Sequence, residues 1–260
     1  MSQDNWNPAQ YQRFAAERRQ PFEDLCALVE PAPEMRVVDL GSGTGELTAA
    51  LHARVGARAT LGLERSANML ASSAAFGRPG LNFAHADIAD FRGDQEWDLV
   101  FSNAALQWLP DHARLLARLT AALAPGGQLA VQVPANFDHR SHVVAAEVAR
   151  EEPFASAVTA APRPPAVLAP ESYAALLDDL GYERQSVRLQ VYGHHLDSRD
   201  DVVEWVRGTT LTAYQSALPA ELFPLFLERY RARLLPQLHD TQPYFYPFKR
   251  ILLWARRADA

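Results

Sequence analysis

Short runs of apolar and β-branched residues alternate with helix-patterned segments from residue 36 to about residue 134. Several of the runs are apolar on both faces, as parallel strands covered by helices on both sides require. The alternation is typical of βαβ units built around a parallel sheet. The strands that it predicts are residues 36–40, 60–64, 81–84, 98–103 and 128–133.

The segments between these strands carry helical signals. Leu47, Leu51 and Val55 recur at four-residue spacing and predict a crossover helix with one apolar stripe. Ser66 is a candidate N-cap for the next helix. A leucine-rich segment from residue 115 to 123 predicts a third helix, which ends at Pro125-Gly126-Gly127.

The residue pattern of the sequence changes after residue 134, where prolines surround a helical stretch at 142–150. We interpret this part as an insertion across the top of the sheet. A helix at 172–180, a strand near 184–192, a mainly helical stretch at 197–246 and a final strand at 250–255 complete the chain. We therefore predict one domain, 1–260. Its core covers about 31–134, 173–196 and 247–260, and its cap covers 1–30, 135–172 and 197–246.

Composition narrows the possible functions. The chain has 260 residues with 25 Lys and Arg against 31 Asp and Glu, a formal net charge of −6. This balance argues against binding nucleic acid or an anionic membrane, and an anionic ligand would need a local basic pocket. The single cysteine, Cys26, excludes an internal disulfide and indicates a reducing compartment. With neither a leader-like N-terminus nor a long apolar run, we expect a cytoplasmic protein, by default a monomer.

The strongest chemical signal lies where the first strand turns into the first helix. Residues 37–45 read VVDLGSGTG, and alternate glycines let the backbone approach a ligand beside a helix N-terminus. Glu64 ends the second strand, where a carboxylate can accept both ribose hydroxyls. Together they indicate a nucleoside-containing cofactor.

Two classes of cofactor remain. A dinucleotide fingerprint requires a third glycine where this chain has Glu46, and a carboxylate there would repel a diphosphate. A nicotinamide dehydrogenase is therefore disfavoured. S-adenosylmethionine has no phosphate and carries a sulfonium and an ammonium group. Asp39, two residues before the first glycine, suits a site that orients the ammonium.

The pattern D-x-G-x-G-x-G strongly resembles motif I of the class I S-adenosylmethionine-dependent methyltransferases, and Ala86-Asp87-Ile88, the strand 97–103 and the turn 123–127 are also similar to this family. The resemblance implies an α/β, Rossmann-like fold with a mostly parallel seven-stranded sheet, an antiparallel last strand, flanking helices and a helical cap. It implies S-adenosylmethionine as the cofactor, with Asp87 accepting the adenine amino group. The candidate cofactor-binding residues are Tyr11, Asp39, Gly41, Ser42, Gly43, Gly45, Glu64, Arg65, Asp87, Ile88, Asn103 and Leu106.

A narrower resemblance spans nearly the whole chain. Residues 6–14, 102–112, 132–137, 141–142 and 246–250 are similar to trans-aconitate 2-methyltransferases. The resemblance implies methyl transfer to a carboxylate of trans-aconitate, a small-molecule substrate, giving a monomethyl ester. Two departures bear on the substrate. Gln20 stands where the family's R-x-R-P segment has its second arginine, and Thr212 stands where one branch has an arginine.

A carboxylate near its reference pKa is already ionised at neutral pH, so the reaction needs no general base. We therefore predict no catalytic residue in the sense of a proton shuttle and no metal, since His139 and His142 lack further ligands at metal spacing. The candidates for holding the acid are Arg18, Arg19, His142, Lys249 and Arg250. The alternatives are a methyltransferase for another carboxylate or a hydroxyl, and a protein that binds S-adenosylmethionine without turnover.

Overall fold

The computed structural model describes residues 15–158 and 166–260, and for residues 15–18 it describes the backbone alone. The strands are β1 (Arg36–Leu40), β2 (Ala59–Glu64), β3 (Leu81–His85), β4 (Trp97–Asn103), β5 (Leu123–Pro134), β6 (Tyr182–Leu196) and β7 (Tyr244–Arg257). They form one seven-stranded sheet in the order β3-β2-β1-β4-β5-β7-β6. The predicted α/β architecture is confirmed.

The first five strands are parallel, and β7 lies antiparallel between β5 and β6. The expected antiparallel last strand is therefore confirmed. Both late strands are longer than the predicted 184–192 and 250–255, because β6 and β7 pair with each other along almost their full lengths. Most of the first two-thirds of β6 is exposed, so its apolar pattern marks only part of a strand that backbone hydrogen bonds extend.

The helices are α1 (Ala15–Cys26), α2 (Glu46–Val55), α3 (Ala67–Ser73), α4 (His112–Ala122), α5 (Arg140–Ala149), α6 (Phe154–Ala157), α7 (Pro170–Asp179), α8 (Asp200–Arg207), α9 (Thr210–Ala217) and α10 (Phe223–Leu234). Ser66 caps α3 as predicted, its Oγ accepting from the Met69 amide at 3.2 Å. Helix α4 ends at Ala122 rather than at the expected Pro-Gly-Gly turn, because β5 already begins at Leu123.

Helices cover both faces of the sheet. On one face, α1 and α2 pack against β1, β4, β5 and β7, and Phe22 of α1 meets Phe101 of β4 edge-on with ring centroids 5.8 Å apart. On the other face, α4 and α7 pack against the same strands. Our assignment of residues 1–30 to the cap differs from this arrangement, since Ala15–Cys26 lies on the sheet. Its buried residues include Phe22 and Leu25, which give α1 an apolar side facing the strands.

Helices α5, α6, α8, α9 and α10 share a separate apolar cluster with the start of β7. Trp205, Phe226, Tyr230 and Tyr246 are among its buried rings. The first segment that carries these helices leaves the sheet after Pro134, and the second leaves it after Leu196 and returns at Tyr244. All three points lie at the edge where the parallel strands end, because Pro134 pairs with Arg250 and Leu196 with Tyr244. Ligands of open α/β sheets bind at this edge.

Within the two described ranges, the helices are all too short or too polar to cross a membrane.

Candidate functional site

The turn from β1 to α2 brings backbone very close to the turn after β4. Gly41 has φ +86°, and a β-carbon built on it would lie 2.4 Å from Cβ of Ala105. Gly45 has φ +84°, and a β-carbon there would lie 2.7 Å from Cβ of Ser73. Only glycine combines this left-handed backbone with such close approach. The loop is therefore pressed against its neighbours, with its amides at the N-terminus of α2.

Glu64, at the end of β2, is fixed beside this loop. Its Oε2 accepts from the Gly43 amide at 2.9 Å, and its Oε1 accepts from the Ser66 amide at 2.7 Å. A carboxylate has about four lone-pair positions, so Glu64 retains capacity for two hydroxyl donors. The two amides hold the carboxylate where the sequence places a ribose.

Asp39 is a buried carboxyl group, 4% exposed, at the end of β1. Thr48 Oγ1 donates to its Oδ2 at 2.5 Å. Burial, with a smaller contribution from the charge of Glu64, raises the pKa of Asp39 to about 7 against the lowering effect of the hydrogen bond from Thr48. A cation placed beside Asp39 would favour its ionised form. The site is thus suited to a positively charged group.

Asp87, Arg65 and Ile88 lie on the far side of the loop. Asp87 Oδ1 accepts from the Ala89 amide at 2.8 Å, and the exposed Arg65 reaches Asp87 Oδ2 at 3.6 Å. Cδ1 of Ile88 lies 3.6 Å from the position of a β-carbon on Gly41. The aspartate and the apolar side chain therefore flank the glycine loop together.

The end of β4 completes this part of the site. Asn103 is the last residue of the strand, and Leu106 is buried in the short 3-10 turn after it. Ser42 Oγ and Asn103 Oδ1 are buried and have no hydrogen-bond partner among the described residues. Buried polar atoms without partners mark places where a ligand can bond. Acidic and neutral polar groups predominate here, which fits a cationic cofactor without phosphate.

Comparisons with known proteins agree with this site. A sequence model described as "Methyltransferase domain" matches residues 37–127. The trans-aconitate 2-methyltransferase of Deinococcus radiodurans is 44% identical over 98% of this chain and 99% of its own. The trans-aconitate 2-methyltransferase of Methylobacterium nodulans is 44% identical over 97% of this chain and 98% of its own.

The chain belongs to the trans-aconitate 2-methyltransferase family. It is an S-adenosylmethionine-dependent enzyme of the class I methyltransferases, and the predicted family, cofactor and fold are confirmed. The crystal structure of the YcgJ protein of Bacillus subtilis shares the fold with a TM-score of 0.60 at 12% identity, covering 93% of this chain and all of that one.

The structure of this methyltransferase separates two of the candidate acid-binding residues. Lys249 and Arg250 are neighbours in β7, and alternate residues of a strand point to opposite faces. Lys249 Nζ forms an ion pair with Asp138, an interaction that lowers the pKa of Asp138. Arg250 is 5% exposed on the other face, and its Nη1 donates to Gln132 Oε1 at 3.3 Å. The two cations therefore do not converge on one pocket.

The contacts that the structure describes for Arg19 and His142 are with other residues than Arg250. Arg19 forms exposed ion pairs with Glu23 and Glu46, at 3.5 and 3.6 Å, beside the glycine loop. His142 is half-buried on α5 against Phe137, and burial lowers its pKa to about 4. It is therefore neutral near pH 7 and supplies no charge. Tyr11 and the side chain of Arg18 lie outside the described residues.

A cleft of about 460 Å³ lies between α1 and β6, and sequence reasoning missed most of its lining. Gln20 is on its wall, where its Nε2 donates to Asp24 Oδ1 at 2.8 Å. Tyr192 OH donates to Asp24 Oδ2 at 2.8 Å, and His194 lines the cleft farther along β6. Gln20, the departure from the family's R-x-R-P segment, thus faces a cleft. Thr212 donates instead to the Thr209 carbonyl within the cap.

His194 and His195 are neighbours in β6, and adjacent residues of a strand point to opposite faces. His194 is buried and His195 is exposed. Among residues 15–158 and 166–260, no group of three His, Cys, Asp or Glu side chains is arranged to hold a metal ion.

The raised pKa of Asp39 predicts a pH-dependent affinity for the cofactor. Below pH 7 the free enzyme holds Asp39 largely protonated, and binding an ammonium group must displace that proton. Affinity for S-adenosylhomocysteine should therefore rise by about tenfold from pH 5.5 to 7.5, where an α-amino group stays mostly protonated. Calorimetry across this range measures the change. The Asp39→Asn variant should bind weakly with no such rise, and a flat wild-type profile would contradict the assignment.

Proposed function

We propose that this enzyme transfers the methyl group of S-adenosylmethionine to a carboxylate of trans-aconitate, forming a monomethyl ester. The observation that carries the proposal is the buried cation of Arg250 on the sheet face that also carries Asp39 and Asn103. Relatives named trans-aconitate 2-methyltransferase that align along almost the whole chain support the choice of acid.

The shared face follows from strand register. Asp39 pairs with Phe101, two residues before Asn103, so both polar side chains point to the same side of the sheet. Asn103 pairs with Gln132, which pairs with Leu252, two residues after Arg250. Arg250 therefore points to that side as well. An acid held by Arg250 would lie on the same face as the cofactor residues at the end of β4, with only β5 between the two strands.

The chemistry requires positioning rather than proton transfer. When bound, S-adenosylmethionine supplies an electrophilic methyl group on a sulfonium. The carboxylic acid is ionised at neutral pH and can attack without a base. Asp39 and Glu64 would orient the cofactor through its ammonium and its ribose, and Asp87 with Ile88 would hold the adenine. Arg250 would fix the acid by a fork of N–H donors, and alignment of two bound reactants can contribute about 7–11 kcal/mol.

A second candidate function is esterification of a different small carboxylic acid. Gln20 favours it, because the residue facing the cleft is a neutral amide bonded to Asp24 rather than an arginine. A site with one fewer cation would suit an acid with fewer charges. The two functions differ in the rank order of substrates.

The test is mass spectrometry of the purified enzyme with S-adenosylmethionine and trans-aconitate, with cis-aconitate, isocitrate and citrate in parallel. We expect a monomethyl ester to form fastest from trans-aconitate. Faster esterification of another acid would establish the second candidate. Cofactor binding without any ester from this panel would refute the proposal and favour either another substrate class or a protein that binds the cofactor without turnover.

A further inference from the structure

Gln132 is a fully buried amide whose hydrogen bonds are incomplete. It lies near the end of β5 with 0% of its surface exposed. Its Oε1 accepts from Arg250 Nη1, and its Nε2 has no partner among the described residues. Leaving a buried donor without a partner costs about 1–3 kcal/mol. Such a cost is retained in a folded protein when the donor serves a ligand.

His194 supplies a second such atom nearby. Its ring lies 5.0 Å from that of Trp205 in the cap and 6.4 Å from that of Phe248. Its Nε2 is buried with no partner among the described residues. The guanidinium of Arg250 stacks over the same Phe248 ring at 4.8 Å, so Arg250 and His194 both lie against Phe248. Burial and the charge of Arg250 lower the pKa of His194 to about 4, which leaves it neutral and able to donate one N–H.

The three side chains share one face. Gln132 and Arg250 lie on the same side of neighbouring strands, as their register shows. His194 pairs with Tyr246, four residues before Arg250, and so points to that side too. The cleft lined by His194 and Gln20 opens beside the group. A cation and two neutral donors at the edge of the sheet form a set suited to a carboxylate.

We propose that Gln132, Arg250 and His194 form a subsite for one carboxylate of the substrate that is not methylated. Arg250 supplies the charge, and Gln132 Nε2 and His194 Nε2 donate hydrogen bonds that fix the orientation of the group. Gln132 is a substrate-binding residue, placed between the cofactor residues at the end of β4 and the arginine of β7. The proposal rests on the proposed function, because it takes a polycarboxylate as the ligand.

The chain offers a matched control in the same strand. Gln128 is also a buried amide of β5, but its side-chain oxygen and nitrogen both have hydrogen-bond partners. Its Oε1 accepts from the Glu30 amide and from Trp254 Nε1, both at 2.9 Å, and its Nε2 donates to the Glu30 carbonyl at 2.7 Å. Gln128→Met removes three bonds of the fold, and Gln132→Met removes one. Without ligands, Gln128→Met should therefore lower the Tm more.

The experiment measures binding of acids to the complex of the enzyme with S-adenosylhomocysteine, so turnover is not needed. We expect Gln132→Met to weaken trans-aconitate binding by about tenfold, whereas Gln128→Met changes it less than about twofold. Three dicarboxylates, cis-glutaconate, itaconate and mesaconate, each lack a different carboxylate of trans-aconitate. One of them should bind equally well to the wild type and to Gln132→Met, because its missing group is the one held here.

The outcomes distinguish the carboxylate subsite from the proposed methyl transfer. The subsite is overturned if Gln132→Met binds trans-aconitate as tightly as the wild type does, or if it binds all four acids more weakly by the same factor. The proposed function stands in either case if the wild-type enzyme forms the ester. If the affinities of the wild type and of Gln132→Met for the four acids differ as expected, but the wild type forms no ester, the subsite is upheld and the proposed reaction is refuted. A wild-type enzyme that binds none of the acids would refute both. His194→Phe should reproduce the selectivity of Gln132→Met, and a wild-type pattern there would remove His194 from the subsite.

Discussion

Arg250→Met is expected to raise the KM for trans-aconitate by at least about 30-fold and to leave the affinity for S-adenosylhomocysteine unchanged. The guanidinium is buried on β7 beside the end of β5, and removing one partner of a buried charged pair typically costs about 2 kcal/mol or more. Steady-state kinetics and calorimetry measure the two effects separately. Arg250→Lys should be intermediate, since it keeps the charge and loses the planar fork.

Lys249→Met is the control for this change. Lys249 is the preceding residue of the same strand, but its charge is on the other face and paired with Asp138. Its removal should alter the KM by no more than a few-fold. If both variants lose affinity for the acid equally, the effect is one of net charge, and the role of Arg250 in the site is wrong.

Gly41→Ala is expected to abolish or strongly weaken cofactor binding and to lower the Tm. The added methyl would meet Ala105 Cβ at 2.4 Å, and the backbone is left-handed. Overpacking of this kind costs about 1–3 kcal/mol, and a left-handed residue other than glycine costs about 1–2 kcal/mol more. The loop and the turn after β4 must separate, which spoils the site between them. Calorimetry should show at least a tenfold loss of affinity for S-adenosylhomocysteine.

Gly56→Ala provides the comparison for backbone strain alone. Gly56 ends α2 with φ +61°, and a β-carbon there meets nothing within 4 Å. Its Tm should fall while cofactor affinity stays at the wild-type value. Wild-type affinity in Gly41→Ala would show that the loop yields without cost and that its closeness to Ala105 is not needed.

The part of the fold that holds the cofactor residues is predictable because the sequence patterns that mark it lie within a few residues of one another. The strand 36–40 is reproduced in β1, and glycines within a few residues mark the loop. The proposed acid-binding part depends on contacts between residues that are far apart in the sequence. The hydrogen bond between Arg250 and Gln132 joins residues 118 positions apart, and no residue spacing in the sequence predicts it. Lys249 and Arg250 look equivalent in the sequence until their strand and its alternation are known.

The cleft between α1 and the end of β6 shows a second limit of prediction from the sequence. Tyr192 and Asp24 bond across 168 residues, and the cleft beside them exists only once α1 packs on the sheet. The sequence flags Gln20 as a departure, but its place on the wall of that cleft depends on the pairing of α1 with β6.

The sheet order has a further consequence for which acids fit. Asn103 and Arg250 stand on β4 and β7, which are separated by β5 alone. Adjacent strands are about 4.8 Å apart, so these positions are about 10 Å apart across the sheet. Backbone hydrogen bonds set this interval, and no side-chain substitution shortens it. Side-chain substitutions can therefore change which groups an acid must carry and how far the protein reaches toward them, while the interval between the two backbone positions stays fixed by the fold.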